Sequence, residues 1–131
     1  MATAGIPLGA TAELAGRVLL ASLFVIEAAD KLWDTGGALR YMAAYGLPAA
    51  LLPLAIAVEL GCGIAILLGW RTQIAAFLLA GFCFLTALIF HADLAQRAQQ
   101  IQLEKDLALA GALLILAARG AGRFSIDARL T

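Results

Sequence analysis

Five ionisable side chains stand out because they fall within or at the ends of apolar stretches of membrane-spanning length: Glu27, Lys31, Glu59, His91 and Lys105. Each type suits a particular chemistry. Glu59 lies between Val58 and Leu60, so its carboxylate must be protonated, paired with a cation or part of a proton path. The imidazole of His91 exchanges protons near neutral pH. The ammonium groups of Lys31 and Lys105 suit an anionic substrate or a carbonyl oxygen. Glu27 stands four residues before Lys31, the spacing and order that pair an acid with a base on one helix face.

The rest of the chain explains why these groups are unusual. Of 131 residues, 63% are hydrophobic and 14% charged, with a mean hydropathy of +0.95. Soluble domains are about half apolar and a quarter charged. This composition excludes a soluble domain and points to an integral membrane protein in contact with a lipid bilayer. Nine basic residues balance nine acidic ones, which leaves no electrostatic footprint for nucleic acid. Cys62 and Cys83 show no CxxC or other metal-ligand spacing, and no haem, flavin or iron-sulfur motif is present.

A membrane helix needs about 20 mostly apolar residues, so a chain this short holds four spans at most. The expected fold is all-α, an integral membrane four-helix transmembrane bundle formed as a single domain over 1–131, with spans at about 12–33, 48–69, 73–91 and 103–119. The first span loosely imitates a signal peptide and is expected to be retained. Asp34 to Gly37 break it, and Ala38 to Tyr45 suit a short interfacial helix. Trp70, Arg71 and Thr72 leave room only for a tight turn, which makes the second and third spans antiparallel neighbours. Ala92 to Gln102 read as a solvated connection, and the tail from Arg119 onward is too short to fold alone. Arg17, Arg71, Arg119, Arg123 and Arg129 gather on the side of the termini, which the positive-inside rule places in the cytoplasm.

With this topology all five ionisable residues converge on the outer half of the bundle, where facing inward would give them one polar cavity. Two plainer readings stay open: the charges pair only to hold helices in register, or Lys31 and Lys105 snorkel to the interface and His91 ends a helix. Gly61, Gly63, Gly69 and Gly111 suit close helix packing and self-association as a homo-oligomer. Phe77, Phe82, Phe84 and Phe90 suit the core, a lipid-facing surface or the apolar part of a quinone pocket.

Several motifs together resemble the DoxX family: Phe24 to Trp33 with Lys31 and Leu32; Glu59, Gly61, Gly63, Leu67, Leu68, Gly69 and Arg71; Phe90 and His91; Lys105, Leu107 and Gly111; and the closing Gly120, Gly122, Arg123, Ser125, Ile126 and Asp127. The resemblance runs over nearly the whole chain. It implies a four-helix protein of the bacterial inner membrane, related to a DoxD-type subunit associated with thiosulfate:quinone oxidoreductase. The matched polar residues are Lys31, Glu59, His91 and Lys105. The chain departs from the pattern at Glu27 and Asp30, where small or neutral polar residues are expected, and at Asp106, where asparagine is common.

The leading expectation is therefore a membrane subunit of a quinone-linked oxidoreductase. Lys31, Lys105 and Glu27 would bind substrate or quinone, and Glu59 with His91 would relay protons. Electrons would come from a bound sulfur compound or a soluble redox or sulfur-handling partner. The rivals are a noncatalytic anchor for such a partner and a small-molecule transporter.

Overall fold

The computed structural model describes residues 8–90 and 95–130. His91, one of the five residues singled out above, lies outside the described residues. The chain forms α1 (Leu8–Trp33), α2 (Thr35–Ala44), α3 (Leu51–Leu68), α4 (Thr72–Phe90), α5 (Arg97–Arg119) and α6 (Ile126–Leu130). Among the described residues, α1, α3 and α4 are long and apolar enough to cross a membrane.

The long helix α5 differs from the shorter span expected at 103–119. It begins at Arg97 and takes in polar residues read from sequence as part of a solvated connection. At about 1.5 Å of rise per residue its 23 residues span roughly 34 Å, but only Leu107 to Ala118 form an uninterrupted apolar run. Glutamine, glutamate, lysine and arginine are good helix formers, so polarity there does not end the helix. The second span also starts later than expected, because Pro48 to Ala50 form a turn whose Pro48 and Ala49 carbonyls accept from the Leu51 and Leu52 N–H groups. Pro53 then falls in the first helical turn, where the lack of an N–H is harmless. At α2, Asp34 caps the helix: its Oδ1 accepts from the Gly37 N–H at 3.0 Å.

Packing follows chain order, α1 against α3, α3 against α4, and α4 against α5. One core joins these four helices through Ala21, Phe24, Ile66, Leu79, Cys83 and Leu113. Gly63 lets α3 approach α1, since a Cβ there would meet Val25 at 3.1 Å. Gly61 and Gly111 have open space beside them, so the packing role expected for all four glycines holds inside the bundle only for Gly63 and Gly69. Gly69 takes φ +72° at the end of α3, and Ser125 fills the space a side chain would need.

The tail that is too short to fold alone folds onto the bundle. Arg17 is buried in α1, and its guanidinium donates to the carbonyls of Ala121 at 2.6 Å, Phe124 at 2.8 Å and Leu67 at 3.5 Å. Asp127 sits at the α4 N-terminus, where Oδ1 accepts from the Arg71 N–H at 2.7 Å and Oδ2 from the Thr72 N–H at 2.9 Å. Its own N–H donates to the Gly69 carbonyl at 2.8 Å. These bonds put the start of α1, the α3–α4 turn and the chain's C-terminal segment at one end of the bundle.

Burial alone would raise the Asp127 pKa, but hydrogen bonds from Thr72 and Arg71 and the nearby Arg17 charge outweigh it and hold the carboxyl below the ordinary 3.8. A lowered native pKa stabilises the fold fully above the ordinary carboxylate range, and that contribution is lost as pH falls through the native value. Asp127→Asn is expected to lower stability by about 1 kcal/mol at neutral pH, in the range of a lost helix cap. Thermal unfolding of the detergent-purified protein should show that loss, and it should shrink as the pH is lowered below 4.

Candidate functional site

The opposite end of the bundle holds a mostly apolar cavity of about 860 Å³, walled by residues of α1 to α5. Its size falls within the range of small-molecule and cofactor sites. The wall contains the main ionisable contact between helices. Lys31 Nζ lies 2.6 Å from Glu59 Oε1 and 3.7 Å from Glu27 Oε2. The three side chains grade from buried to exposed: 4% for Glu59, 26% for Lys31 and 53% for Glu27. Lys31 thus bridges a buried carboxylate to one open to the surroundings.

Local structure explains this placement. Glu27 and Lys31 are one helical turn apart on α1, and Gly63 lets α3 approach closely enough for Glu59 to reach the lysine. Withdrawing a carboxylate from water costs several kcal/mol, which only a close counter-charge with good geometry repays. Lys31 supplies that counter-charge at 2.6 Å as an ion pair.

The structure brings Lys31, Glu59 and Glu27 together but leaves Lys105 exposed and away from the cavity wall. Its neighbour Asp106 lines the wall instead, together with Gln102 and Leu109. A one-residue step turns a helical side chain by about 100°, so Lys105 and Asp106 cannot share a face. His91 follows Phe90, which lines the cavity and stacks on Tyr41 at 5.1 Å. Tyr45 meets Phe90 edge-on at 4.9 Å. The phenylalanines divide accordingly: Phe82 and Phe90 line the cavity, while Phe77 and Phe84 are exposed on the bundle surface.

Residues not singled out as site candidates also reach the cavity. Tyr41 on α2 and Tyr45 at its C-cap are four apart, a same-face spacing that could have marked them; of the two, Tyr41 lines the wall. Burial, the hydrogen bond and charge of Tyr45, and the charge of Asp106 push the Tyr41 hydroxyl up to about 12, so it is a firm donor at neutral pH. Asp30, Asp34 and Asp106 add carboxylates. Among the described residues, no three His, Cys, Asp or Glu side chains come close enough to hold a metal ion.

Removing either member of the Lys31–Glu59 pair should have unequal effects. Lys31→Met strands a buried carboxylate and should cost on the order of 3 kcal/mol, moderated by proton uptake at Glu59. Glu59→Gln leaves a lysine that still has Glu27, so its cost should be smaller. Chemical denaturation should rank the variants in that order, and the double variant Lys31→Met with Glu59→Leu should recover most of the loss.

Comparison with known proteins agrees with a membrane protein. The DoxX family model matches residues 12–92, a stretch that includes Glu27, Lys31, Glu59 and His91. The inner membrane protein YqjF of Escherichia coli (strain K12) is 40% identical over 114 residues, covering 87% of this chain and 88% of that protein. The inner membrane protein YphA of the same organism is 34% identical over 123 residues, covering 88% of each. No solved structure gives a significant match. A family match over most of the helical bundle, with two relatives aligned along most of their length, means that this chain belongs to the DoxX family of membrane proteins.

Proposed function

We propose that the chain is the membrane subunit of a quinone-linked oxidoreductase system, with α5 as its fourth crossing and the cavity as its quinone site. The observation that carries this reading is an ion pair between Lys31 and the buried Glu59, set in the wall of a mostly apolar cavity of about 860 Å³. Leu52, Val58, Phe82 and Ile89 suit an apolar ring and the start of an isoprenoid chain. Quinone, when bound, supplies the electron-accepting chemistry, which takes two electrons and two protons. Lys31 Nζ offers a donor for a carbonyl oxygen. The Glu59 carboxylate can hold a proton against the cavity, and exposed Glu27 connects the pair to the surroundings.

Electrons would arrive from a soluble redox or sulfur-handling partner, with thiosulfate or another small sulfur compound as their source. The cavity itself does not suit a doubly negative oxyanion, because among the described residues its wall carries five carboxylates against one ammonium. The names of the relatives, both inner membrane proteins, support a bacterial inner-membrane location. A second reading is favoured by the same ion pair: Lys31 and Glu59 tie α1 to α3 and could serve packing alone, leaving the chain as a noncatalytic anchor.

Trp33 lines the cavity, whereas Trp70 sits at the opposite end, so fluorescence can separate the readings. Decylubiquinone added to the nanodisc-embedded protein is expected to quench Trp33 saturably, and Ala55→Phe, which fills the cavity without adding a tryptophan, should abolish the saturable component when read in a Trp70→Phe background with Trp33 kept as reporter. Quenching that never saturates, or that is unaffected by Ala55→Phe, favours the anchor. In membranes supplied with the donor system, Glu59→Gln should lower quinone reduction by roughly tenfold or more while leaving the helical spectrum intact, in line with loss of a proton-transfer group.

A further inference from the structure

We infer that the cavity sorts its occupants by charge, taking neutral and cationic amphiphiles and turning anions away, so that lipophilic organic cations form a second ligand class for the same site. This rests on the reading of the cavity as a ligand site, and not on the redox chemistry proposed for it.

The charge balance of the wall leads to the inference. Glu27, Asp30, Asp34, Glu59 and Asp106 line it, and Lys31 is the one base among the described lining residues. Lys31 is already engaged, at 2.6 Å by Glu59 and 3.7 Å by Glu27, so its ammonium has little attraction left for an incoming anion. Asp34 also caps α2, its Oδ1 accepting from the Gly37 N–H at 3.0 Å. In a cavity with low-dielectric walls, such an excess of one sign focuses the field instead of dispersing it into water.

The shape of the wall sets the kind of cation. The carboxylates are spread around it and do not converge on a point where a metal ion would sit. Between them lie apolar side chains and the stacked rings of Tyr41 and Phe90, with Asp106 in electrostatic reach of Tyr41. Aromatic faces beside a carboxylate attract a bulky, weakly hydrated ammonium or phosphonium, whose apolar substituents gain from the rest of the lining. A small hydrated ion gains little from such walls. A sulfur oxyanion meets repulsion.

Tetraphenylphosphonium and tetraphenylborate have nearly the same shape and opposite charge, which isolates the charge term. Equilibrium dialysis of each against nanodiscs carrying the protein, with empty nanodiscs subtracted, is expected to show saturable retention of the cation on the order of tenfold tighter than of the anion. Asp30→Asn combined with Asp106→Asn should weaken cation retention several-fold, and Ala55→Trp should remove it. Equal retention of the two ions, or cation retention that does not saturate, overturns the inference on the unmutated chain, whatever the variants do. Saturable decylubiquinone quenching without cation preference sinks this inference and leaves the quinone reading standing. Cation retention that Ala55→Trp removes, without quinone quenching, does the reverse.

Discussion

A charge withdrawn from water has to find its compensation inside the protein, and this bundle meets that constraint at both ends. At one end the buried Arg17 guanidinium is taken up by three backbone carbonyls, with Asp127 and Glu13 nearby. At the other the buried Glu59 carboxylate is taken up by Lys31. The two solutions differ in kind. Arg17 draws on carbonyls left over at the end of α3 and in a tail with no other place to fold, so it closes its end of the bundle. Glu59 draws on a side chain that is itself partly open, so its end keeps a cavity.

The contrast follows from what each helix end offers. Gly69, Gly120 and Gly122 all have positive φ and turn the backbone sharply around Arg17, which brings carbonyl oxygens to it. At the far end, α2 follows α1 behind its capping aspartate, and the rings of Tyr41, Tyr45 and Phe90 join it to the end of α4. The short helix adds Ala38, Tyr41 and Met42 to the cavity wall. Rigidity at the Arg17 end is compatible with an accessible space at the Glu59 end because the shared core of Phe24, Ile66, Leu79 and Leu113 separates them.

Much of this architecture was legible in the chain. Apolar runs of membrane length located α1, α3 and α4 to within a few residues, and the Trp70–Thr72 turn fixed α3 and α4 as neighbours. The Glu27–Lys31 pairing followed from its spacing. Helix phase was harder. Along α5, Asp106, Ala110 and Leu113 follow a helical repeat, and Ala110 and Leu113 are buried, so the repeat points Asp106 inward and Lys105 outward. Reading charge type before phase favours the lysine, whereas phase favours its neighbour. The role of the tail was hidden for another reason: Arg17 and Asp127 are far apart in sequence, and nothing local marks either as the partner of a distant turn.

Three acids gain meaning from the same geometry. Glu27, Asp30 and Asp106, where the resemblance read from sequence implies neutral residues, lie together on one cavity wall. Their convergence makes the wall a shared electrostatic environment in which each added carboxylate raises the cost of an anion and lowers that of a cation. With neutral residues at those positions, the same cavity would hold Lys31 and Glu59 in near balance, aside from Asp34, and would discriminate mainly by shape. On the reading of the cavity as a ligand site, these acids would bias what it accepts, while Lys31 with Glu59 in the same wall and Arg17 with the tail supply the contacts that tie the helices together.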